Sequence, residues 1–234
     1  MKKLVIVGCG RLAGIVSDAV VNGLLPEYDL VGVYSRTAEK AERIVAKIQQ
    51  HGKTCMACTT IEDLLALKPD YLVEAASPAA MKELALPALK NGTSIVTLSI
   101  GALADTAFYQ EVIETAQANG TRVYIVSGAT GGFDVLRTAS LMGNATAKFF
   151  NEKGPNALKG TAVYDEALQT EQRVVFSGNA TKAIAMFPTK VNVAVAASLA
   201  SVGPENMQMS MQSTPGFVGD TQRVETVSYT HLRA

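Results

Sequence analysis

The segment from residue 2 to residue 37 places the strongest constraint on the fold of this chain. An apolar run at residues 2–7 leads directly into Gly8-Cys9-Gly10-Arg11-Leu12-Ala13, and a helical pattern follows before a second apolar run at residues 30–34. A strand, a tight glycine turn, a helix and a second strand, in this order, are what a dinucleotide-binding βαβ unit requires. The pattern therefore predicts such a unit at the start of the chain.

Each small residue of the glycine turn has a physical role in this prediction. Gly8 permits the sharp turn, Gly10 lets backbone N–H groups approach a pyrophosphate, and Ala13 allows the helix to pack closely on the sheet. The helix N-terminus then presents the positive end of its dipole to the phosphates. We therefore predict that a dinucleotide coenzyme binds at Gly8, Gly10, Arg11 and Leu12.

The end of the second strand distinguishes between the two nicotinamide coenzymes. A carboxylate at this position would accept a hydrogen bond from the ribose 2′-OH of NAD. This chain has Ser35 and Arg36 there instead, and a hydroxyl beside a guanidinium suits a 2′-phosphate. The coenzyme is therefore predicted to be NADP or NAD, with NADP favoured.

The composition excludes several other classes of protein. Of the 234 residues, 48% are hydrophobic and 18% charged, and 21 basic residues balance 21 acidic ones. No net positive field favours nucleic acid or an anionic membrane surface. The chain enters a strand at once, without the apolar region of a signal peptide, and no apolar run is long enough to span a bilayer. We expect a soluble, cytoplasmic protein with no nucleic-acid or membrane partner.

The cysteines raise the alternative of a metal or redox site. Cys55-Met56-Ala57-Cys58 has the spacing of a redox motif or of half a zinc site. A zinc site needs further Cys or His ligands, and the only histidines are His51 and His231. We interpret these cysteines as ordinary strand residues and predict no metal.

Strand and helix patterns alternate through the first half of the chain, which favours a doubly wound parallel Rossmann sheet. After residue 131, alternating apolar and polar residues predict strands, and two helical patterns lie between them. This pattern of strands and helices is typical of a second α+β domain built on a largely antiparallel sheet. The predicted domains are 1–130 and 131–226. The predicted strands of the second domain are 161–164, 173–177, 207–212 and 221–227, and its helices are 180–187 and 192–202.

Residues 227–234 resemble the translated read-through of a sequencing-library adaptor. We therefore predict that they form a non-native tail, that the natural chain continues beyond about Glu225, and that the second domain is incomplete. His231 is accordingly a poor candidate for a catalytic residue.

Small and hydroxyl-bearing residues follow three strands of the predicted parallel sheet. Ligands of such sheets bind outside the carboxyl ends of the strands, and small side chains leave room there for ribose and nicotinamide. The segments are 76–78, 99–102 and the glycine-rich 127–134. The candidate coenzyme-binding residues among them are Ala76, Ser77, Ser99 and Ala129.

Several of these motifs together resemble one family. The chain is similar to the L-aspartate dehydrogenases at 75–78, 99–105, Ser127-Gly128-Ala129-Thr130-Gly131-Gly132-Phe133-Asp134, Lys153-Gly154-Pro155-Asn156-Ala157-Leu158, 176–180 and 187–194. The resemblance implies NAD(P)-dependent oxidation of L-aspartate to iminoaspartate, or the reverse, and the imine can feed pyridine nucleotide biosynthesis. It also implies that Ala129 and Asn192 contact the dinucleotide, and Asn192 is a candidate active-site residue. Asn192 has a second interpretation as the cap of the helix that follows it.

One position departs from the family. Gln222 stands where the resemblance places the catalytic histidine, and a glutamine side chain does not titrate. Gln222 is therefore predicted to orient water or substrate. Asp220 is an alternative acid–base group, but an aspartate at the start of a strand is typically a solvated turn residue.

The substrate is expected to be a small amino or dicarboxylic acid, which needs cations for its carboxylates. The candidate cations of the second domain are Lys153, Arg173, Lys190 and Arg223. We expect a homodimer. Two alternative functions remain open: a sibling dehydrogenase for another amino or oxo acid, and a non-catalytic protein that senses the dinucleotide.

Overall fold

The computed structural model describes residues 1–128, 130–188 and 190–228. The chain forms two compact units, Met1–Val126 and Ser127–Ala234. Ala129 and residues 229–234, including His231, lie outside the described residues. In the described part of the chain, no helix combines the length and the apolar character needed to cross a bilayer.

The first unit is a six-stranded sheet with strand order β3-β2-β1-β4-β5-β6. All of its pairings are parallel, and this order confirms the predicted doubly wound Rossmann fold. The strands are β1 (Lys2–Val7), β2 (Tyr28–Tyr34), β3 (Met56–Cys58), β4 (Tyr71–Glu74), β5 (Ser94–Thr97) and β6 (Val123–Ile125). The helices are α1 (Arg11–Val21), α2 (Ala38–Gln50), α3 (Ile61–Ala66), α4 (Pro78–Lys90) and α5 (Thr106–Ala118), and a 3-10 helix covers Ile100–Ala104.

Local chemistry explains where these elements begin. The side chain of Ser77 accepts a hydrogen bond from the N–H of Ala80 and thereby caps α4, and Pro78 fills the first helical position. Thr60 caps α3 and Asp105 caps α5 in the same way. The last four residues of β1 are buried without alternation, as a strand covered on both faces requires.

The second unit is a four-stranded mixed sheet with order β10-β7-β9-β8. The β10–β7 and β8–β9 pairs are antiparallel and the β7–β9 pair is parallel, which confirms the α+β architecture. The strands are β7 (Thr146–Lys153), β8 (Arg173–Asn179), β9 (Gln208–Ser213) and β10 (Asp220–Val227), and the helices are α6 (Phe133–Leu141), α7 (Ala180–Met186) and α8 (Asn192–Leu199). The core packs around Phe149, Phe176, Phe187, Met209 and Met211.

Two predictions for the second unit were wrong. Residues 161–164 form turns, not a strand: they follow Gly160, whose φ is +79°, and lie between the 3-10 helices Pro155–Leu158 and Glu166–Gln169. The predicted helix 192–202 ends at Leu199. The central strand β7 and the helix α6 were not predicted, because β7 carries polar residues on its buried face and α6 has no buried residue.

Candidate functional site

The glycine turn has two glycines with different structural requirements. Gly8 has a φ of +89°, and a Cβ built on it would lie 2.6 Å from the carbonyl oxygen of Ala75. Its N–H donates to the carbonyl of Tyr34 at 2.8 Å, so the turn is held between neighbouring strands. Gly8 is therefore required by the fold itself.

Gly10 is not required by any protein contact. A Cβ at Gly10 would meet no atom of the described residues within 4 Å, and its backbone is extended, with a φ of −87°. Gly10 is also the N-cap of α1, and no side chain caps this helix end. Arg11 and Leu12 are exposed beside it. An uncapped helix N-terminus with open space in front of it fits the pyrophosphate of a dinucleotide.

A hollow of about 440 Å³ lies at the ends of β2 and β3 and is lined in part by Ser35, Arg36, Glu42 and Thr59. The hydroxyl oxygen of Ser35 accepts from the N–H of Thr37 at 3.3 Å. Arg36 is exposed, and its guanidinium has no hydrogen-bond or ion-pair partner among the described residues. The hollow therefore offers a hydroxyl and a free cation, with one carboxylate on its rim.

A buried carboxylate that sequence reasoning missed lies at the end of β4. Glu74 has no exposed surface. Its Oε1 accepts from the N–H of Ala76 at 2.8 Å and of Ser77 at 3.1 Å, and from the hydroxyl of Ser99 at 2.8 Å. Its Oε2 accepts from the hydroxyl of Thr97 at 2.9 Å and the N–H of Ser99 at 3.0 Å. The sequence signal was a single charge in the otherwise apolar run of β4.

These bonds define the surroundings of three predicted coenzyme-binding residues. Ala76 and Ser77 donate their backbone N–H groups to Glu74, and the hydroxyl of Ser77 accepts from Ala80 to cap α4. Ser99 is buried, and its hydroxyl proton is directed to Glu74. The three residues lie together around Glu74, and the side chain of Ser99 donates to its carboxylate.

In the second unit, a polar cluster lies on the inner face of the sheet. Lys153 forms an ion pair with Asp220, and its side chain is only 8% exposed whereas that of Asp220 is 42% exposed. The amide of Asn151 donates to Asp220 and to the carbonyl of Thr221. Asp220 is exposed at the start of β10, as the solvated interpretation expects, and two buried side chains also hold its carboxylate.

Gln222 lies beside this cluster on β10, opposite Asn151 in the strand register. Its Oε1 accepts from the hydroxyl of Thr130 at 2.8 Å, which directs the Nε2 donors of the amide away from Thr130. Ser213 is paired with Lys153 in the register of β7 and β9. The hydroxyl of Ser213 is buried and has no partner among the described residues.

Asn192 is the first residue of α8, so the cap position falls on Val191, which makes no side-chain capping bond. The alternative interpretation of Asn192 as the helix cap is therefore wrong. Gly128, before the undescribed Ala129, has a φ of +67°, and a Cβ there would lie 3.2 Å from Cγ2 of Val193. The glycine-rich segment thus packs against the start of α8.

The other predicted cations of the second unit are exposed. Arg173 pairs with Asp165, and Arg223 pairs with Glu225 at 3.1 Å and lies over the ring of Phe150. Lys190 is exposed and donates to the carbonyl of Ala157. Of the four candidate cations, only Lys153 is buried.

The cysteines of the first unit are buried thiols. Burial raises the pKa of Cys55 to about 12 and that of Cys9 to about 11, and burial also raises the pKa of Cys58. Thiolates are the reactive and metal-binding form of cysteine, so these side chains behave as small apolar residues at neutral pH.

Comparisons with known proteins agree with both units. A family model described as the homoserine dehydrogenase NAD-binding domain matches residues 8–126, and one described as the C-terminal domain of aspartate dehydrogenase matches residues 134–231. The L-aspartate dehydrogenase of Methanocaldococcus jannaschii is 33% identical over 213 residues, covering 87% of this chain and 76% of the relative. That of Pseudomonas aeruginosa is 28% identical over 228 residues, covering 96% and 84%.

Among solved structures, an aspartate dehydrogenase has a similar fold. The crystal structure of aspartate dehydrogenase from Thermotoga maritima matches with a TM-score of 0.75 and 23% identity, covering 97% of this chain and 85% of that one. The parallel sheet, the glycine turn and the match to an NAD-binding domain define an NAD(P)-binding dehydrogenase with a separate α+β unit. Family models match both units, and an L-aspartate dehydrogenase matches most of the chain at 33% identity. The chain therefore belongs to the L-aspartate dehydrogenase family.

Proposed function

We propose that this protein oxidises L-aspartate with NAD(P) to iminoaspartate, which water converts to oxaloacetate and ammonia, and that it also catalyses the reverse reaction. Membership of the family supports the reaction. The observation that carries the assignment to this chain is the pair of buried side chains, Lys153 and Asn151, that holds the carboxylate of Asp220 in the second unit. The bound coenzyme supplies the acceptor for the hydride that leaves C2 of the substrate.

The first unit holds the coenzyme through backbone groups. Gly8 keeps the turn against the end of β4, and Gly10 leaves the space in front of α1 open. The N–H groups of the first turn of α1 then face the pyrophosphate, where the helix dipole adds to their attraction.

The hollow beside β2 supports a preference for NADP. Arg36 has no partner among the described residues to lose when it binds a phosphate, and Ser35 adds a hydroxyl. A hydrogen bond to a charged group contributes about 1.5–3 kcal/mol, which corresponds to about 10- to 150-fold in affinity. Glu42 on the same rim opposes a second anion, so the preference depends on Arg36.

The preference is tested with Arg36→Ala. We expect the Kd of NADPH to rise about 10- to 150-fold and that of NADH to change by less than about threefold, measured by coenzyme fluorescence. Arg43→Ala is the matched control, since Arg43 is an exposed arginine of α2 that does not line the hollow. An equal loss of both coenzymes in Arg36→Ala would refute the assignment of the 2′-phosphate.

The polar cluster of the second unit matches the charges of aspartate. Lys153 has three N–H donors and gives one to Asp220, so it has donors left for a substrate carboxylate. The hydroxyl of Ser213, which has no partner within the described part of the chain, is a second donor on the neighbouring strand. Asp220 is the anion that can accept from the substrate ammonium group, and Gln222 adds its amide N–H donors.

Gln222 takes no proton during the reaction, because an amide does not titrate in this range. The proton of the substrate ammonium group therefore leaves through Asp220 or through water. Gln222 orients the substrate or the water that attacks the imine, and Thr130 fixes the direction of its amide.

The activity is tested in the direction of reductive amination. We expect oxidation of NADPH or NADH with oxaloacetate and ammonium, formation of L-aspartate by chromatography, and no oxidation when ammonium is omitted. Pyruvate and 2-oxoglutarate replace oxaloacetate in parallel assays and identify a sibling dehydrogenase. Coenzyme binding without turnover on any of the three oxo acids would contradict the proposed reaction.

The role of Lys153 is tested with Lys153→Met. Loss of a charged hydrogen bond raises the KM for oxaloacetate about 10- to 150-fold, while the Kd of the coenzyme stays unchanged. Lys148→Met is the control, because Lys148 lies on the same strand and is exposed. A KM that is equal in the two variants would assign substrate binding to another cation.

A further inference from the structure

We propose that Glu74 is a positioning residue that shapes the half of the coenzyme site that receives the nicotinamide nucleotide. The inference rests on the proposed function, because it assumes that the first unit binds NAD(P). Glu74 has no exposed surface, so it does not touch the coenzyme. It acts through the two loops to which it is hydrogen bonded.

Glu74 is a buried carboxylate whose oxygens are satisfied by uncharged donors. Burying an anion without compensation costs several kcal/mol, and among the described residues no lysine or arginine forms an ion pair with Glu74. Its two oxygens instead accept five hydrogen bonds, three from backbone N–H groups and two from hydroxyls. A group that is so costly to bury and so fully satisfied indicates that its bonds fix a required geometry.

The hydrogen bonds of Glu74 join the loop after β4 to the loop after β5. Glu74 and Thr97 are opposite each other at the last register position of β4 and β5. From this point Glu74 binds the N–H groups of Ala76 and Ser77 in its own loop, and both the N–H and the hydroxyl of Ser99 in the loop after β5. The Glu74 side chain therefore joins the two loops directly, beyond the backbone hydrogen bond from the N–H of Leu98 to the carbonyl of Glu74 at 2.9 Å.

The strand order locates these loops within the coenzyme site. In a doubly wound sheet of this order, the half formed by β1 to β3 binds the adenosine nucleotide and the half formed by β4 to β6 binds the nicotinamide nucleotide. The loops held by Glu74 follow β4 and β5 and so belong to the second half. The loop after β4 also lies against Gly8, since a Cβ at Gly8 would come within 2.8 Å of Ala76.

The proposal is tested by comparing the whole coenzyme with a fragment of it. Glu74→Gln preserves the shape of the side chain but replaces one acceptor oxygen by an NH₂ donor, which faces backbone N–H donors in either orientation of the amide. We expect the Kd of the preferred coenzyme, NADPH or NADH, to rise at least tenfold. The adenosine fragment, adenosine 2′,5′-bisphosphate for NADPH or ADP for NADH, should bind with less than a twofold change, because it occupies the other half.

A matched control separates positioning from loss of stability. Thr93 is buried at the opposite end of β5, where its hydroxyl donates to the carbonyl of Pro69 at 2.9 Å. Thr93→Val removes a buried hydrogen bond between the same two strand regions, so its melting temperature should fall while both ligands bind as in the wild type. Thr97→Val removes one donor to Glu74 and should reproduce the effect of Glu74→Gln at about threefold.

The outcomes distinguish this inference from the proposed function. If the wild-type protein binds no nicotinamide coenzyme, both are overturned. If the wild type binds the coenzyme but Glu74→Gln loses coenzyme and fragment equally, or neither, the positioning role alone is overturned. If Glu74→Gln does not fold, Thr97→Val decides the question by the same comparison of coenzyme with fragment.

Discussion

The most direct test of the coenzyme site is Gly10→Ala, because it distinguishes an effect on coenzyme binding from an effect on the stability of the fold. Gly10 has an extended backbone that alanine also adopts, and the added methyl group would meet no atom within 4 Å in the part of the chain that the structure describes. The space in front of Gly10 is where we expect the pyrophosphate to approach the backbone. The substitution should therefore leave the fold intact and impair binding.

The expected change in stability follows from two opposing effects. Alanine is a poorer N-cap than glycine, which costs up to about 1 kcal/mol. Alanine also reduces the entropy of the unfolded chain, which contributes about 0.4–1 kcal/mol in the opposite direction. The net effect is within about 1 kcal/mol, or about 4 °C in melting temperature for a chain of this length. Loss of at least one charged hydrogen bond should raise the Kd of the coenzyme about 10- to 150-fold.

The assay combines thermal unfolding with titration of NADPH and NADH by fluorescence. Gly14→Ala is the control, since Gly14 lies one turn further along α1 and a Cβ there would also meet no atom within 4 Å. It should bind the coenzyme normally and melt at a higher temperature, because alanine favours a helix interior by about 1 kcal/mol.

Gly8→Ala provides the opposite case. There the left-handed φ and a contact of 2.6 Å with Ala75 should destabilise the protein by about 2–4 kcal/mol. Unchanged coenzyme affinity in a folded Gly10→Ala protein would refute the placement of the pyrophosphate.

Two further predictions concern the acid–base group and a helix cap. Gln222→His places a titratable group beside Asn151 and Asp220. If the protein is a dehydrogenase that lacks only its acid–base residue, its kcat, measured from pH 6 to 10, should rise by on the order of 10²–10⁴-fold. An unchanged rate would favour the dinucleotide-sensing alternative. Asp105→Ala removes the cap of α5 and should cost about 1 kcal/mol, or about 2–4 °C in melting temperature. The hydrogen bond from Lys82 lowers the pKa of Asp105, so its stabilisation is complete above the unfolded pKa near 3.9 and is lost as the pH falls through the lower folded pKa. The difference in melting temperature between wild type and variant should therefore shrink in acid, and a constant difference down to pH 2 would contradict this origin.

The first unit could be predicted in detail because its signals are local. The glycine turn, the alternation of strands and helices, and the Ser77-Pro78 start of α4 each lie within a few neighbouring residues. Each of them acts through the backbone of those same residues. The parallel direction of the strands then follows from the helical crossovers that connect them.

The contacts that build the site could not be predicted in this way, because their partners are distant in sequence. Glu74 binds Thr97 and Ser99 across two strands, and Lys153 meets Asp220 across a separation of 67 residues. The sequence motifs indicated which segments of the chain contribute to the site. Only the strand register shows which side chains face each other, and register is decided by the packing of the whole sheet.

β7 was not predicted because buried polar residues interrupt its apolar pattern, and the same residues form the candidate substrate site. A half-buried strand is recognised by apolar residues at every second position, and Ala147 and Phe149 begin such a pattern on the inner face. Asn151 and Lys153 continue the same face as buried residues, so the apolar signal stops where the candidate substrate site begins. Glu74 interrupts β4 in the same way, at the edge where the coenzyme is expected. In both units the buried polar residue that breaks the pattern of its strand also stands at the proposed binding site, as is expected where function takes precedence over local consistency.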